Sequence, residues 1–207
     1  MYQQLVMPVF TNITKRREIM KIRNATPEDS GHFVRIFEIA SYGLAPHLWR
    51  QAVGNDGDTY SYALTRMQRK LADAKPNTAL VAEMDGEVAG GIITYDIGPE
   101  PEEISSETDP VITPLIELEN RALGTHYINA VAVFPECQRR GIGEALLHEV
   151  ERNAGPNGLS LIVEDQNTGA FNLYQKLGYV TDSTAAIIKG GWDTSAQSYV
   201  LMKKAMI

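Results

Sequence analysis

Apolar positions along this chain switch between a period of two and a period of 3.6, and the switches mark the elements. Lys21-Ile22-Arg23 alternates as a short strand. Thr26-Pro27-Glu28-Asp29 then starts a helix, with Thr26 as cap, Pro27 at the first helical position and acids in the first turn. Phe33, Val34, Ile36, Phe37 and Ile39 carry its buried stripe. Residues 42–62 form a long connection rich in aromatic rings (Tyr42, Trp49, Tyr60, Tyr62) and interrupted by Pro46, Gly54 and Gly57. These rings either pack as core beneath the connection or line a pocket. A second helix covers about 60–74, burying Leu64, Met67 and Leu71. Residues 78–83 and 89–97 are strands joined at Met84-Asp85-Gly86-Glu87, where Asp-Gly signals a hairpin.

Beyond Ile97 the composition changes. Pro99, Pro101, Pro110 and Pro114 break regular structure, and Glu100, Glu102, Glu103, Glu107 and Asp109 cluster without a lysine or arginine among them. Residues 98–110 therefore read as a solvated loop, and 112–122 as a short helix ended by Gly124. Ile128 to Phe134 is an apolar, β-branched run, hence a largely buried strand, and Pro135 stops it. After Gly143, Ala145, Leu146, Leu147 and Val150 recur at helical spacing to about Ala154. A turn over 155–158, a strand over 159–163 and a helix over 168–177 closed by Gly178 follow. The tail, 185–189 and 198–205, reads as an antiparallel pair. The predicted class is α/β (α+β), about seven strands flanked by about four helices. One domain spans 21–207 with an acidic insertion at about 98–125, and residues 1–20 form an arm of weak periodicity.

Hydrophobic content of 43% and charged content of 22% suit a soluble globular protein. The net charge of -7 argues against nucleic acid or an anionic membrane as partner. Apolar runs are too short to span a bilayer. The basic cluster Lys15-Arg16-Arg17 follows the apolar Val6-Met7-Pro8-Val9-Phe10 instead of preceding it, so no signal peptide is expected. Cys137 is the single cysteine, which excludes an internal disulfide and fits a reducing compartment; a cytoplasmic location is expected. Cys137 belongs to no Cys/His/acid constellation, and His32, His47, His126 and His148 are too scattered for a metal site.

The connection Gln138-Arg139-Arg140-Gly141-Ile142-Gly143 joins a strand to a helix. Its glycines let the backbone turn tightly and approach a ligand, while the helix start offers free N–H groups and a positive dipole end. That chemistry suits a phosphorylated anion. The pattern is neither Gly-x-Gly-x-x-Gly nor Walker A, and without a terminal lysine or a metal-binding carboxylate pattern an ATP-dependent enzyme is disfavoured. It is Gln-x-x-Gly-x-Gly, which resembles the pyrophosphate-binding loop of the GNAT superfamily of acyl-CoA-dependent N-acetyltransferases. About thirty residues later, Asn167-Thr168-Gly169-Ala170-Phe171-Asn172-Leu173-Tyr174-Gln175-Lys176-Leu177-Gly178-Tyr179 is similar to that family's second signature. The resemblance covers about Lys21 to Lys204, most closely over 127–180.

It implies a GNAT-like, strongly curved mixed sheet whose fourth and fifth strands splay apart, with acyl-CoA in the gap. Val131, Ala132 and Val133 would form the cofactor strand, Val131 and Val133 offering main-chain groups to the pantetheine and the thioester carbonyl. Gln138, Arg139, Arg140, Gly141, Ile142 and Gly143 would hold the pyrophosphate. Asn167 would contact the pantetheine, and Asn172 would reach the cofactor from its helix. Tyr174 matches the family's general acid, against the plain alternative of a core tyrosine. The general base stays open among Glu119, His126 and Tyr127, in that order; strand alternation puts Tyr127, Asn129, Val131 and Val133 on one face and His126 on the other. The function implied is acetyl transfer from acetyl-CoA to a primary amine, small or peptidic, by direct attack in a ternary complex. The alternative is an acyl-CoA sensor without turnover. No metal is expected, the acidic segment suggests a cationic acceptor, and a homodimer is left open.

Overall fold

A computed structural model describes residues 19–206, so the N-terminal arm, apart from its last two positions, lies outside the described residues. Seven strands form one sheet in the order β1-β2-β3-β4-β5-β7-β6. They are β1 (Met20–Asn24), β2 (Ala79–Met84), β3 (Glu87–Asp96), β4 (His126–Val133), β5 (Leu159–Glu164), β6 (Val180–Ala186) and β7 (Ser198–Lys204). All neighbouring pairs are antiparallel except β4 and β5, which run parallel. The mixed sheet, the hairpin of β2 with β3 and the antiparallel terminal pair match the sequence expectation.

Helices cover both faces because each has one apolar stripe to bury. On the first face α1 (Ser30–Ala40), α2 (Leu44–Val53) and α3 (Thr59–Ala72) bring Phe33, Ile36, Trp49, Met67 and Leu71 onto Val81, Ile93, Ala130 and Ala132. On the other, α5 (Ile142–Glu151) and α6 (Thr168–Lys176) bring Leu146, Leu147, Val150 and Tyr174 onto Leu80, Ile92, Ile128 and Leu161. The short α4 (Thr113–Glu119) closes a third cluster with Leu44, Trp192, Tyr199 and Leu201.

Three details differ from the sequence expectation. The connection over 42–62 contains α2. Pro46 is its third residue, where the missing N–H has no intrahelical acceptor to lose, so the proline is tolerated rather than disruptive. The penultimate strand occupies 180–186 instead of 185–189: it is a largely exposed edge whose residues carry no apolar alternation to read. A bulge in β4 also changes its faces. Ile93 opposes Ala130 and Thr94 opposes Ile128, leaving Asn129 unmatched. Ile128 therefore shares the α5 face with Val131 and Val133, while Tyr127 turns to the opposite one, against the expected alternation.

Close approach of β3 to β4 requires glycine. A Cβ on Gly90 would stand 2.5 Å from the Ala132 oxygen and 2.9 Å from the Val133 Cα, both backbone atoms that cannot yield. Gly90→Ala is expected to destabilise the fold by about 1–3 kcal/mol, read as a lower denaturant midpoint in urea unfolding.

Candidate active site

The parallel pairing of β4 with β5 covers only His126 with Leu159, Tyr127 with Ser160 and Ile128 with Leu161. From Asn129 onward the strands part. Phe134 N–H donates to Ala89 O (2.9 Å), so in an antiparallel ladder the peptide groups of Phe134 and Ala132 face β3. Those of Val131 and Val133 consequently face the gap. Val133 O accepts from the Gln138 side-chain amide (3.1 Å), which confirms its direction. Ala132 thus frames the opening without its own peptide groups entering it.

At the mouth of the gap the chain turns through a 3-10 turn at Pro135–Cys137 and the glycine loop into α5. Arg35 of α1 forks onto Glu136 through two 2.8 Å bonds, and its guanidinium lies 4.0 Å from the Phe134 ring centroid, fixing the turn. Arg139 (φ 64°) and Gly141 (φ 80°) adopt left-handed backbone, which brings the loop back over the helix start. The first bond of α5 runs from Ala145 N–H to Gly141 O (3.0 Å). The N–H groups of Ile142, Gly143 and Glu144 precede that ladder and point out of the helix end. Gln138, Arg139, Arg140 and Gly141 are exposed, while Ile142 anchors the loop in the core at 2% exposure. Cys137 is half-buried in the turn.

Asn167 caps α6, its side-chain oxygen accepting from Ala170 N–H (3.2 Å), and Lys176 ties α6 to Glu144 of α5 (2.8 Å). Asn172 is exposed on that helix. Tyr174 faces inward, 7% exposed, its ring 5.8 Å from that of Tyr179. Burial and the neighbouring Tyr42 push its phenol above the ordinary value. The phenol is therefore a proton donor that does not ionise in the physiological range.

Glu119 lies at the end of α4 and accepts from Tyr95 (2.8 Å), whose ring stands 5.1 Å from that of Tyr127. Burial raises the Glu119 pKa; the Tyr95 hydrogen bond opposes that rise, Glu102 adds to it, and Tyr127 and Lys70 lower it. Tyr127 is held well above its usual range by burial and by Glu119, and it feels Tyr174 across the sheet. The bulge thus brings Tyr127 to Glu119, at the root of the gap. His126 points elsewhere, its Nδ1 2.7 Å from Asp96.

One residue escaped the sequence reading. Glu164 ends β5, is 7% exposed, and burial, with Asp165 next to it, raises its pKa to about 7. Its signal was a carboxylate closing an otherwise apolar strand, which read as the start of a turn. Among the described residues no group of His, Cys, Asp and Glu could hold a metal ion, and no helix is long and apolar enough to cross a membrane.

The acetyltransferase (GNAT) family profile matches residues 42–179, more than half of the chain, which therefore belongs to that family. No curated protein matches it in sequence. Among solved structures it is similar to PH1933 from Pyrococcus horikoshii (17% identity, TM-score 0.59, covering 91% of this chain and 99% of that one). It is also similar to the PaiA N-acetyltransferase of Thermoplasma acidophilum, solved in complex with coenzyme A (17% identity, TM-score 0.55, 91% and 99%). A third is Naa20 of Chaetomium thermophilum, in complex with a bisubstrate analogue (20% identity, TM-score 0.56, 90% and 86%). At such identities these likenesses show a shared fold.

The raised pKa of Glu164 carries a stability consequence. A carboxyl whose folded pKa exceeds its ordinary 4.5 favours the fold when protonated, and that contribution is lost as pH rises from about 4.5 through about 7. Denaturant unfolding at pH 5 and pH 8 should show the wild type losing about 1–2 kcal/mol relative to Glu164→Gln over this interval.

Proposed function

We propose that this protein transfers an acetyl group from acetyl-CoA to a primary amine by direct attack in a ternary complex. The observation that carries this reading is the open edge of β4 running into the glycine loop at the α5 N-terminus, with Tyr174 beneath. The coenzyme A and bisubstrate complexes of the similar structures support it. The diphosphate would sit on the N–H groups of the loop and the first turn, with Gln138, Arg139 and Arg140 alongside. The pantetheine would add itself to the open edge through Val131 and Val133, as a strand would, close to Asn167 and Asn172. A Val131 or Val133 N–H directed at the thioester carbonyl would stabilise the oxyanion.

The amine nitrogen attacks the carbonyl carbon, the C–S bond breaks, and sulfur leaves as a thiolate that takes the Tyr174 proton. An acceptor that arrives as an ammonium sheds two protons before it becomes an amide. Glu119 would receive the second, released once the C–N bond has formed, with Tyr127 passing it on from the root of the gap. Glu102, whose field reaches Glu119 and Tyr95, suits a cationic acceptor.

Tyr174→Phe should lower kcat roughly 100-fold or more in an acetylation assay across an amine panel, with the coenzyme A dissociation constant little changed. Tight coenzyme binding with no wild-type turnover of any amine would instead indicate a sensor. Gly141→Val places a β-branched residue at a φ of 80°. It should weaken coenzyme A binding about tenfold in calorimetry, because the strained loop withdraws its amides.

A further inference from the structure

Glu164 lies beyond the point where β4 has left β5, and its side chain shares the α4-side face with Ile162 and Tyr199. Its ladder partner across β7 is Tyr199, 3% exposed, whose hydroxyl is enclosed and has no hydrogen-bond partner among the described residues. In the same cluster Trp192, 4% exposed, has an enclosed Nε1 that is likewise unpartnered. Tyr42, held at a left-handed φ of 48°, has its phenol raised by burial and then by Glu164. The charged and titratable groups acting with Glu164 are Asp165, Tyr42 and Tyr199; none of these is a cation. A carboxylate this buried calls for a cationic partner, and a bound ammonium would supply it.

We propose that Glu164 receives the acceptor as a primary alkylammonium and takes its first proton. The inference rests on the acetyl-transfer reading and names that reaction's acceptor class. The ring of Tyr199, opposite Glu164 across the ladder, flanks the cation. The N–H bond of the ammonium breaks toward the Glu164 oxygen, leaving a neutral carboxyl and a nitrogen lone pair. That pair forms the C–N bond as described above. Glu119 takes the second proton through Tyr127, Tyr174 protonates sulfur, and the three groups re-equilibrate with solvent. One proton is released per turnover, as the overall reaction demands. Glu164 is ionised above about pH 7, so it can accept a proton where the free ammonium still dominates.

The test is kcat/KM against pH between 5.5 and 10 for butylamine, 1,4-diaminobutane, phenethylamine and a short peptide with a free N-terminus. The wild type should rise through about pH 7 and level off for its best amine. Glu164→Gln should lose at least 100-fold at pH 8, and its profile should climb toward the amine's own pKa without levelling near 7. Glu164→Asp should restore part of the activity together with a plateau, and Tyr127→Phe should keep the plateau at a lower height. Coenzyme A binding by Glu164→Gln should stay within threefold of wild type, which also reports that the variant folds. A Glu164→Gln profile that still levels above pH 7 overturns the inference and leaves the acetyl-transfer reading standing. A wild type that acetylates no member of the panel overturns both.

Discussion

A sheet cannot part in its middle without cost, because every peptide group along the opened edges loses its ladder partner. Here β4 and β5 hold together for three residues and then separate, exposing Val131 and Val133 to the gap. The arrangement persists because both strands are secured elsewhere. β4 stays paired to β3 along its length, interrupted only by the bulge at Asn129, and β5 stays paired to β7. A 3-10 turn at Pro135–Cys137 carries the chain from the open edge to the glycine loop, so open strand amides and free helix-start amides lie at the two ends of one short connection. An extended thioester with a diphosphate at one end has the shape and charge that such an arrangement accommodates.

Burial does the rest of the electrostatic work. Tyr95, Tyr127, Tyr174 and Tyr199 all have their phenols raised chiefly by desolvation, which keeps them neutral donors around the gap. Glu119 and Glu164 are raised for the same reason but stand in different company. Glu119 accepts a hydrogen bond from Tyr95 and lies in the field of Lys70, whereas Glu164 is flanked by Asp165 and by the hydroxyl of Tyr199, enclosed and without a partner among the described residues. One carboxylate is provided for by the protein; the other is left for something that arrives. This difference separates the two proton-accepting roles proposed for them.

Much of this was legible in the chain itself. The Gln138 to Gly143 turn, the Asn167 to Tyr179 helix and the strand before Pro135 each carry local signals strong enough to place the loop, the cap and the open edge. Helix α2 was hidden because Pro46 reads as a breaker unless the helix start is known to lie two residues before it. The facing of Tyr127 was hidden because a bulge has no marker in apolar alternation, and a single unmatched residue reverses every side chain preceding it. Glu164 was hidden because its meaning depends on Tyr199, which is distant in sequence and meets it only when β5 and β7 pair.

The most direct test of the parted strands is a coenzyme A titration followed by backbone amide NMR. The account predicts that the amides of Val131, Val133 and residues 141–144 shift together and become protected from exchange, while those of Ala130 and Ala132, already bonded to β3, change little. Shifts confined to another surface, or equal shifts along both edges of β4, would contradict it.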